Sequence, residues 1–217
     1  MSDKLGRRLE KYVKSRIMRL KLTNIEFSII SNNCWGTFVY KQFDLPYQSP
    51  FINLLIYGPD YIALLEKLSP ELLQKLTFIS KEESKYKEEL IKAGYYQLSY
   101  PIGLLDGKYE IHFLHYDNED EARSKWLKRC NKINYEKLIV KFSDSNLFDD
   151  GMAKQFENLP YKNKVCFTAK PYENFQSIVY LDFFKGKEAV IDEWKKFWSS
   201  YNLYKVINQL GSSAKDE

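Results

Sequence analysis

The fold is decided around residues 26–36, which read EFSIISNNCWG. The apolar run at 26–31 predicts a short buried strand. The polar residues 31–33 interrupt this run and belong to types that begin helices, so residues 34–43 are predicted to continue as a helix. A buried strand that passes directly into a helix is the repeating unit of α/β domains.

The rest of the chain continues this alternation. Further strands are predicted at 77–79, 138–142, 164–168 and 177–181, and helices at 60–68, 69–76, 82–93, 119–133, 149–158, 187–201 and 203–210. Residues 95–105 and 109–116 are predicted to pair as an antiparallel hairpin, because Asp106-Gly107 between them is a typical hairpin turn. We therefore predict one three-layer α/β/α domain over residues 23–210, with a mixed, mostly parallel sheet and one antiparallel hairpin.

Composition and charge exclude several classes of protein. The chain has 217 residues, of which 44% are hydrophobic and 16% aromatic, so it can bury a core and is not an unfolded chain. Its net charge is +4, but residues 1–22 hold eight Lys and Arg against two acidic residues. This segment therefore carries +6 and the remaining chain −2. A faintly acidic body argues against a domain that wraps nucleic acid.

The charged segment at 1–22 is predicted to be a basic amphipathic helix. Its apolar positions recur every three or four residues: Leu5, Leu9, Val13, Ile17 and Leu20. The ordinary expectation is that this stripe packs on the domain, and the alternative is peripheral contact with an anionic membrane surface. Residues 211–217 are expected to form a flexible tail.

The compartment and cofactors follow from what the sequence lacks. No apolar segment is typical of a signal peptide or long enough to span a bilayer. Cys34, Cys130 and Cys166 are odd in number and far apart, which argues against a disulfide framework and a zinc motif. We expect a cytoplasmic protein, with peripheral contact at the inner membrane face as the alternative. No dinucleotide, P-loop or metalloprotease motif is present, so no metal is predicted and the cofactor is unknown.

Polar side chains follow several predicted strands, and ligands of open α/β sheets bind beyond the carboxyl ends of the strands. Amides exchange hydrogen bonds with sugar hydroxyls, and an indole offers a stacking face. The simpler interpretation is that such residues only cap helices and turns. The candidate substrate-binding residues are Asn32, Asn33, Trp35, Ser143 and Thr168.

Three mechanisms remain open. In the first, His115 with Asp117 or Asp144 is an acid/base pair that activates an acceptor hydroxyl. In the second, Cys34 is the nucleophile of a hydrolase or acyltransferase, since a helix N-terminus lowers a thiol pKa. In the third, the protein binds a glycan without catalysis. His112 is predicted on the opposite strand face from His115 and is interpreted as structural.

Six motifs together carry a family resemblance. They read SNNCWG at 31–36, SPF at 49–51, YPIG at 100–103, HFLHY at 112–116, KFSD at 141–144 and KVCFT at 164–168. In combination they resemble a bacterial family of unknown function whose members are often described as exopolysaccharide biosynthesis proteins. The resemblance covers about residues 25–182. It implies a role in surface polysaccharide assembly, with a sugar or sugar nucleotide as ligand. It assigns neither a reaction nor a catalytic residue.

Overall fold

The computed structural model describes residues 2–211, apart from the side chains of residues 2–5, 7, 8 and 11. The side chain of Leu5 and most of the predicted tail, residues 212–217, therefore lie outside the described part. The α-helices are α1 (Ser2–Leu20), α2 (Trp35–Gln42), α3 (Gly58–Glu66), α4 (Pro70–Leu73), α5 (Lys87–Lys92), α6 (Glu119–Cys130), α7 (Asp150–Asn158) and α8 (Leu203–Gln209).

The strands form two sheets. They are β1 (Ser28–Ser31), β2 (Leu76–Ile79), β3 (Ile102–Leu105), β4 (Tyr109–His112), β5 (Leu138–Ser143), β6 (Lys164–Thr168) and β7 (Ile178–Tyr180). The order β1-β5-β6-β7 makes a parallel sheet, and β2-β3-β4 makes an antiparallel one. The predicted mixed α/β fold with mostly parallel strands and an antiparallel hairpin is confirmed.

The hairpin belongs to its own sheet instead of being inserted into the parallel one. The reason is the segment 51–57, which runs between the two sheets. Leu55 exchanges two backbone hydrogen bonds of 2.9 Å with His112 at the open edge of β4. The amide of the next residue, Ile56, donates a hydrogen bond of 2.8 Å to the carbonyl of Asn32, just beyond β1. Leu55 is the single residue that bridges to the antiparallel sheet, and one bridge does not make the two sheets continuous.

Apolar side chains cover both faces of the parallel sheet, as a three-layer fold requires. Successive residues of a strand point to opposite faces. Ile29, Ile139 and Val165 pack in one cluster with side chains of α2 and α8. Ile30, Val140 and Cys166 pack in the other, with side chains of α3, α6 and the antiparallel sheet.

The predicted hairpin turn is confirmed in detail. Asp106 and Gly107 have φ of 52° and 66°, and two positive φ angles are the requirement of the turn that matches strand twist. The predicted strand 109–116 is too long, because β4 ends at His112. After β4, the amide of Tyr116 donates a hydrogen bond of 3.1 Å to the carbonyl of Phe113 and closes a turn.

The prediction of a helix over 187–201 is wrong. The structure has two short 3-10 turns there, Glu193–Lys195 and Phe197–Ser199. Asp192 adopts a left-handed conformation with φ of 53°, which a continuous right-handed helix cannot contain. The apolar periodicity reflects burial of Phe197 and partial burial of the tryptophans around it, not a helix.

The stripe of α1 also differs from the ordinary expectation. Leu9, Val13, Ile17 and Leu20 are exposed, and the helix faces the domain with Ser15 and Met18.

Candidate functional site

A cavity of about 350 Å³ lies where β1 and β5 end, on the edge of the parallel sheet that sequence reasoning selected. Its polar lining comes from four segments of the chain that fold together there. Its apolar lining includes Leu54, Tyr95 and Trp194. The polar residues are Asn33 and Cys34 after β1, His115 after β4, Ser145 and Asn146 after β5, and Asp192 and Glu193.

A buried ion pair supports one wall of this cavity. Lys141 of β5 and Glu193 are fully or almost fully buried, and Lys141 Nζ contacts Glu193 Oε1 directly. Asn33 joins both partners, because its Oδ1 accepts from Lys141 Nζ at 3.1 Å and its Nδ2 donates to Glu193 Oε1 at 2.9 Å. The pair therefore fixes Asn33 and the 3-10 turn of Glu193 to the sheet.

Burial lowers the pKa of Lys141, and the Glu193 carboxylate opposes this shift by stabilising the ammonium. The hydrogen bonds of Lys141 Nζ to the carboxylate and to the Asn33 oxygen are those of a charged donor. By this geometry the two side chains form a buried ion pair.

Cys34 lines the cavity, but its environment is that of a thiol. Burial raises the pKa of Cys34 to about 11, and the nearby Glu193 carboxylate adds to the rise. The expected lowering at the start of α2 is outweighed by these two effects. Its Sγ lies 4.0 Å from the carbonyl oxygen of Leu54.

His115 also lines the cavity, with an exposed side chain on the turn beyond β4. The predicted partners do not meet it: the described residues contain no hydrogen bond between His115 and Asp117 or Asp144. Asp117 is exposed and does not line the cavity. Its backbone amide donates a hydrogen bond of 2.8 Å to Glu121 Oε2 at the start of α6. The structure therefore brings His115 to the site without the carboxylate that the sequence suggested.

Asp144 binds two backbone amides in place of the pairing with His115 that the sequence suggested. One carboxylate oxygen accepts from the amide of Ala169 at 2.6 Å and the other from the amide of Val190 at 2.8 Å. Burial raises its pKa, and these two amides act in the opposite direction. Both oxygens are occupied, and Asp144 thereby ties the segment that leads to Asp192 and Glu193 to the end of β5.

Most of the predicted substrate-binding residues lie behind the cavity instead of lining it. Trp35 is fully buried and packs against Phe167 and Phe197 at centroid distances of 5.9 and 5.2 Å. Thr168 is buried and donates 2.8 Å to the carbonyl of Lys170. Both side chains are therefore committed to the interior and do not line the cavity.

Asn32 and Ser143 are also fully buried, in the shell that supports Asn33. Ser143 Oγ donates to Asn32 Oδ1 at 3.4 Å and accepts from Asn33 Nδ2 at 3.3 Å. Of the predicted binding residues, Asn33 is the one that lines the cavity. The indole of the site is Trp194, which sequence reasoning placed on a helix.

Comparison with known proteins gives the family. A model described as a domain of unknown function, DUF1919, matches residues 5–212. The chain is 32% identical over 206 residues to a protein of Haemophilus influenzae described as uncharacterized, covering 92% of each chain. The chain belongs to the DUF1919 family. This agrees with the resemblance to a family of unknown function, and neither description mentions a polysaccharide.

Two properties of the described part bear on partners of this DUF1919 protein. Between residues 2 and 211, no helix has both the length and the apolar character needed to cross a bilayer. Nor do three or more His, Cys, Asp or Glu side chains of the described residues come together as metal ligands.

The predicted site residues include neither the buried pair Lys141 and Glu193 nor the other lining residues Ser145, Asn146, Asp192 and Trp194. A signal for Lys141 was present, because a lysine within the apolar run LIVKFS must find a partner if the strand is buried. No local pattern identifies that partner. Glu193 is 52 residues away in the chain and was assigned to a helix that does not form.

Cys34 is expected to resist alkylation near neutral pH. With a pKa of about 11, roughly one thiol in 3,000 is ionised at pH 7.5, and only the thiolate attacks iodoacetamide. Mass spectrometry of the native DUF1919 protein should find Cys34 unmodified under conditions that fully alkylate the same protein in urea. Rapid modification of Cys34 in the native protein at pH 7.5 contradicts this expectation.

Proposed function

We propose that this protein binds a sugar unit in the cavity and transfers a glycosyl or other group in the assembly of a bacterial surface polysaccharide or exopolysaccharide. The observation that carries the proposal is the lining of the cavity. It combines the His115 imidazole, the Trp194 indole and the polar side chains of Ser145, Asn146 and Asp192.

The lining suits a sugar better than an apolar ligand. Hydroxyl, amide and carboxylate groups form directional hydrogen bonds with sugar hydroxyls, and an indole packs on the apolar face of a sugar ring. The buried Lys141–Glu193 pair and Asn33 hold one wall in place, so these groups are presented by a rigid support. Polysaccharide as the product comes from the resemblance of the six motifs.

His115 supplies the proton transfer in this proposal. Its imidazole takes the proton of an acceptor hydroxyl as that oxygen attacks the donor, and the imidazolium returns the proton to the leaving group or to water. Imidazole is suited to this because one ring nitrogen can accept a proton while the other carries one. Asp117 and Asp144 have no part in the step, since neither contacts His115.

The proposal places the protein in the cytoplasm. Cys34, Cys130 and Cys166 are all free thiols, which is typical of a reducing compartment.

His115→Gln is expected to lower polysaccharide output by roughly a hundredfold, because glutamine keeps hydrogen bonding at the cavity but cannot move a proton. The measurement is surface polysaccharide in a deletion strain of the host bacterium complemented with each variant. Asp120→Asn, an exposed change on α6 outside the cavity lining, is the control and should restore full output.

The same experiment separates the proposal from glycan binding without catalysis. A binding protein retains full output with His115→Gln as long as the fold is intact, which circular dichroism checks. Unchanged output in this variant therefore contradicts the catalytic role of His115.

Covalent catalysis by Cys34 is the second candidate, and one observation favours it: Cys34 and His115 line the same cavity. The raised pKa of Cys34 argues against it, because an unassisted thiol is a poor nucleophile. Cys34→Ser distinguishes the two mechanisms. If His115 acts as the acid/base, the variant retains its polysaccharide output; if Cys34 is the nucleophile, the output is lost.

A further inference from the structure

The outward face of α1 carries an apolar stripe that the described part of the protein leaves uncovered. Leu9, Val13, Ile17 and Leu20 are 62%, 46%, 54% and 84% exposed. Single exposed apolar residues are common, but a contiguous stripe marks a surface that meets something else. We refer to these four residues as the stripe.

The stripe is held in this orientation by contacts on the opposite side of α1. Arg19 Nη1 donates a hydrogen bond of 3.2 Å to the carbonyl of Asp44, and Arg16 forms an ion pair of 3.7 Å with the Asp44 carboxylate. Gln42 Nε2 contacts Met18 Sδ at 2.7 Å. Because these contacts join α1 to α2 and the residues after it, the stripe points away from the domain.

The segment that carries the stripe is strongly basic. Residues 1–22 carry a net +6, whereas the rest of the chain carries −2. Between α1 and the domain lies a second cavity of about 590 Å³, whose lining includes Lys14, Lys41 and Lys195 together with Phe38 and Trp194. The Phe38 and Trp194 rings are stacked with centroids 4.3 Å apart. Lysines beside indoles are typical of surfaces that lie in the headgroup region of a bilayer.

We propose that α1 docks on an anionic lipid bilayer, with the stripe inserted among the acyl chains and the surrounding lysines and arginines at the headgroups. Charge complementarity selects this occupant. Each Lys or Arg near an anionic leaflet contributes attraction, and the apolar residues add the free energy of transfer from water. A second copy of the chain is disfavoured, since a symmetric dimer through the stripe brings two segments of +6 together. The proposal does not depend on the reaction at the first cavity.

Sedimentation with vesicles tests the docking. The full chain is expected to sediment with vesicles of equal parts phosphatidylcholine and phosphatidylglycerol, and to stay in solution with phosphatidylcholine alone. Val13→Ser/Ile17→Ser is expected to weaken binding about tenfold or more, because it removes two inserted side chains. Both positions are exposed, so the fold is retained.

The matched control is Ile91→Ser/Leu98→Ser, which removes two apolar side chains that are similarly exposed, at 53% and 49%, outside α1. This variant should bind like the wild type, and so should His115→Gln, which separates docking from catalysis. Wild-type protein that stays in solution with the anionic vesicles overturns the proposal. A dimer in light scattering that Val13→Ser/Ile17→Ser abolishes, without vesicle binding, overturns it also and assigns the stripe to a second copy.

Discussion

Replacing Glu193 by glutamine is expected to lower the free energy of unfolding by about 3–5 kcal/mol, because the change leaves the buried Lys141 ammonium without its counter-charge. Lys141 is fully buried and Glu193 is 1% exposed, so water cannot replace the lost carboxylate. Asn33 Oδ1, at 3.1 Å from Lys141 Nζ, remains a partner but is neutral. The measurement is urea-induced unfolding followed by tryptophan fluorescence.

A neighbouring pair provides the control. Asp192 and Lys195 form an ion pair of 2.5 Å whose side chains are 45% and 60% exposed. Asp192→Asn should cost less than about 1 kcal/mol, since exposed ion pairs contribute little and asparagine tolerates the left-handed backbone of this position. Equal losses for Glu193→Gln and Asp192→Asn contradict the expectation.

The double variant separates loss of the pair from loss of packing. Lys141→Met/Glu193→Met replaces both charges by apolar side chains of similar length, so no buried charge is left alone. We expect it to be more stable than either single variant, as replacement of a buried pair is often close to neutral. This comparison remains informative if a single variant fails to fold.

Acidification is expected to destabilise the protein through His112, with a loss of about 1.4 kcal/mol per pH unit below pH 6.5. Burial lowers the pKa of His112 to about 3 in the folded protein, whereas an unfolded chain has the ordinary value near ~6.5. Between these values the unfolded chain takes up a proton that the folded protein refuses, so acid favours unfolding. From pH 6.5 to pH 4 this amounts to about 3 kcal/mol.

The surroundings of His112 explain the low pKa. The ring is fully buried among Tyr57, Tyr86 and Tyr100, and its Nδ1 lies 3.5 Å from the hydroxyl of Tyr100. Glu110 Oε2 is 3.6 Å from Nε2, but its carboxylate accepts from Ser84 Oγ at 2.6 Å and from the amide of Lys85 at 2.7 Å. Within the described residues, Nε2 therefore has no hydrogen-bond partner that favours the imidazolium.

His112→Phe should remove this contribution, because phenylalanine fills the site and does not titrate. The measurement is the free energy of unfolding between pH 7 and pH 4 for the wild type, His112→Phe and the exposed-histidine control His115→Gln. The acidic residues are the same in all three proteins, so we assign the difference in slope to the loss of the His112 imidazole. A His112→Phe variant with the wild-type slope shows that the buried histidine is not the source.

The sequence predicted several strands closely, whereas both hairpin strands, β3 and β4, are shorter than predicted. The strand at 164–168 has its predicted bounds, and those at 138–142 and 77–79 differ by one residue, because apolar runs bounded by polar or turn residues define buried strands. The hairpin turn followed from the conformational preferences of Asp106 and Gly107 alone. The cavity lies at the sheet edge where the sequence predicts a site, because parallel strands bring their carboxyl ends together.

Individual site residues were predicted less well, for a physical reason. Cys34, Asn33 and His115 line the cavity, while Trp35 and Thr168 point into the interior and Asp144 holds backbone amides. At the end of a strand, one residue of displacement changes the face on which a side chain lies. Local sequence does not distinguish Trp35, which is buried in the core, from Trp194, which lines the cavity.

Local sequence determined the α/β class, the hairpin and the charge division between α1 and the rest of the chain, because these depend on residues close together. Tertiary structure alone decided the partners across long separations. It paired Lys141 with Glu193, folded residues 190–194 over the sheet edge in place of a helix, and turned the stripe of α1 outward. Such contacts depend on which surfaces meet once the core has formed, and that information is absent from any local segment of the chain.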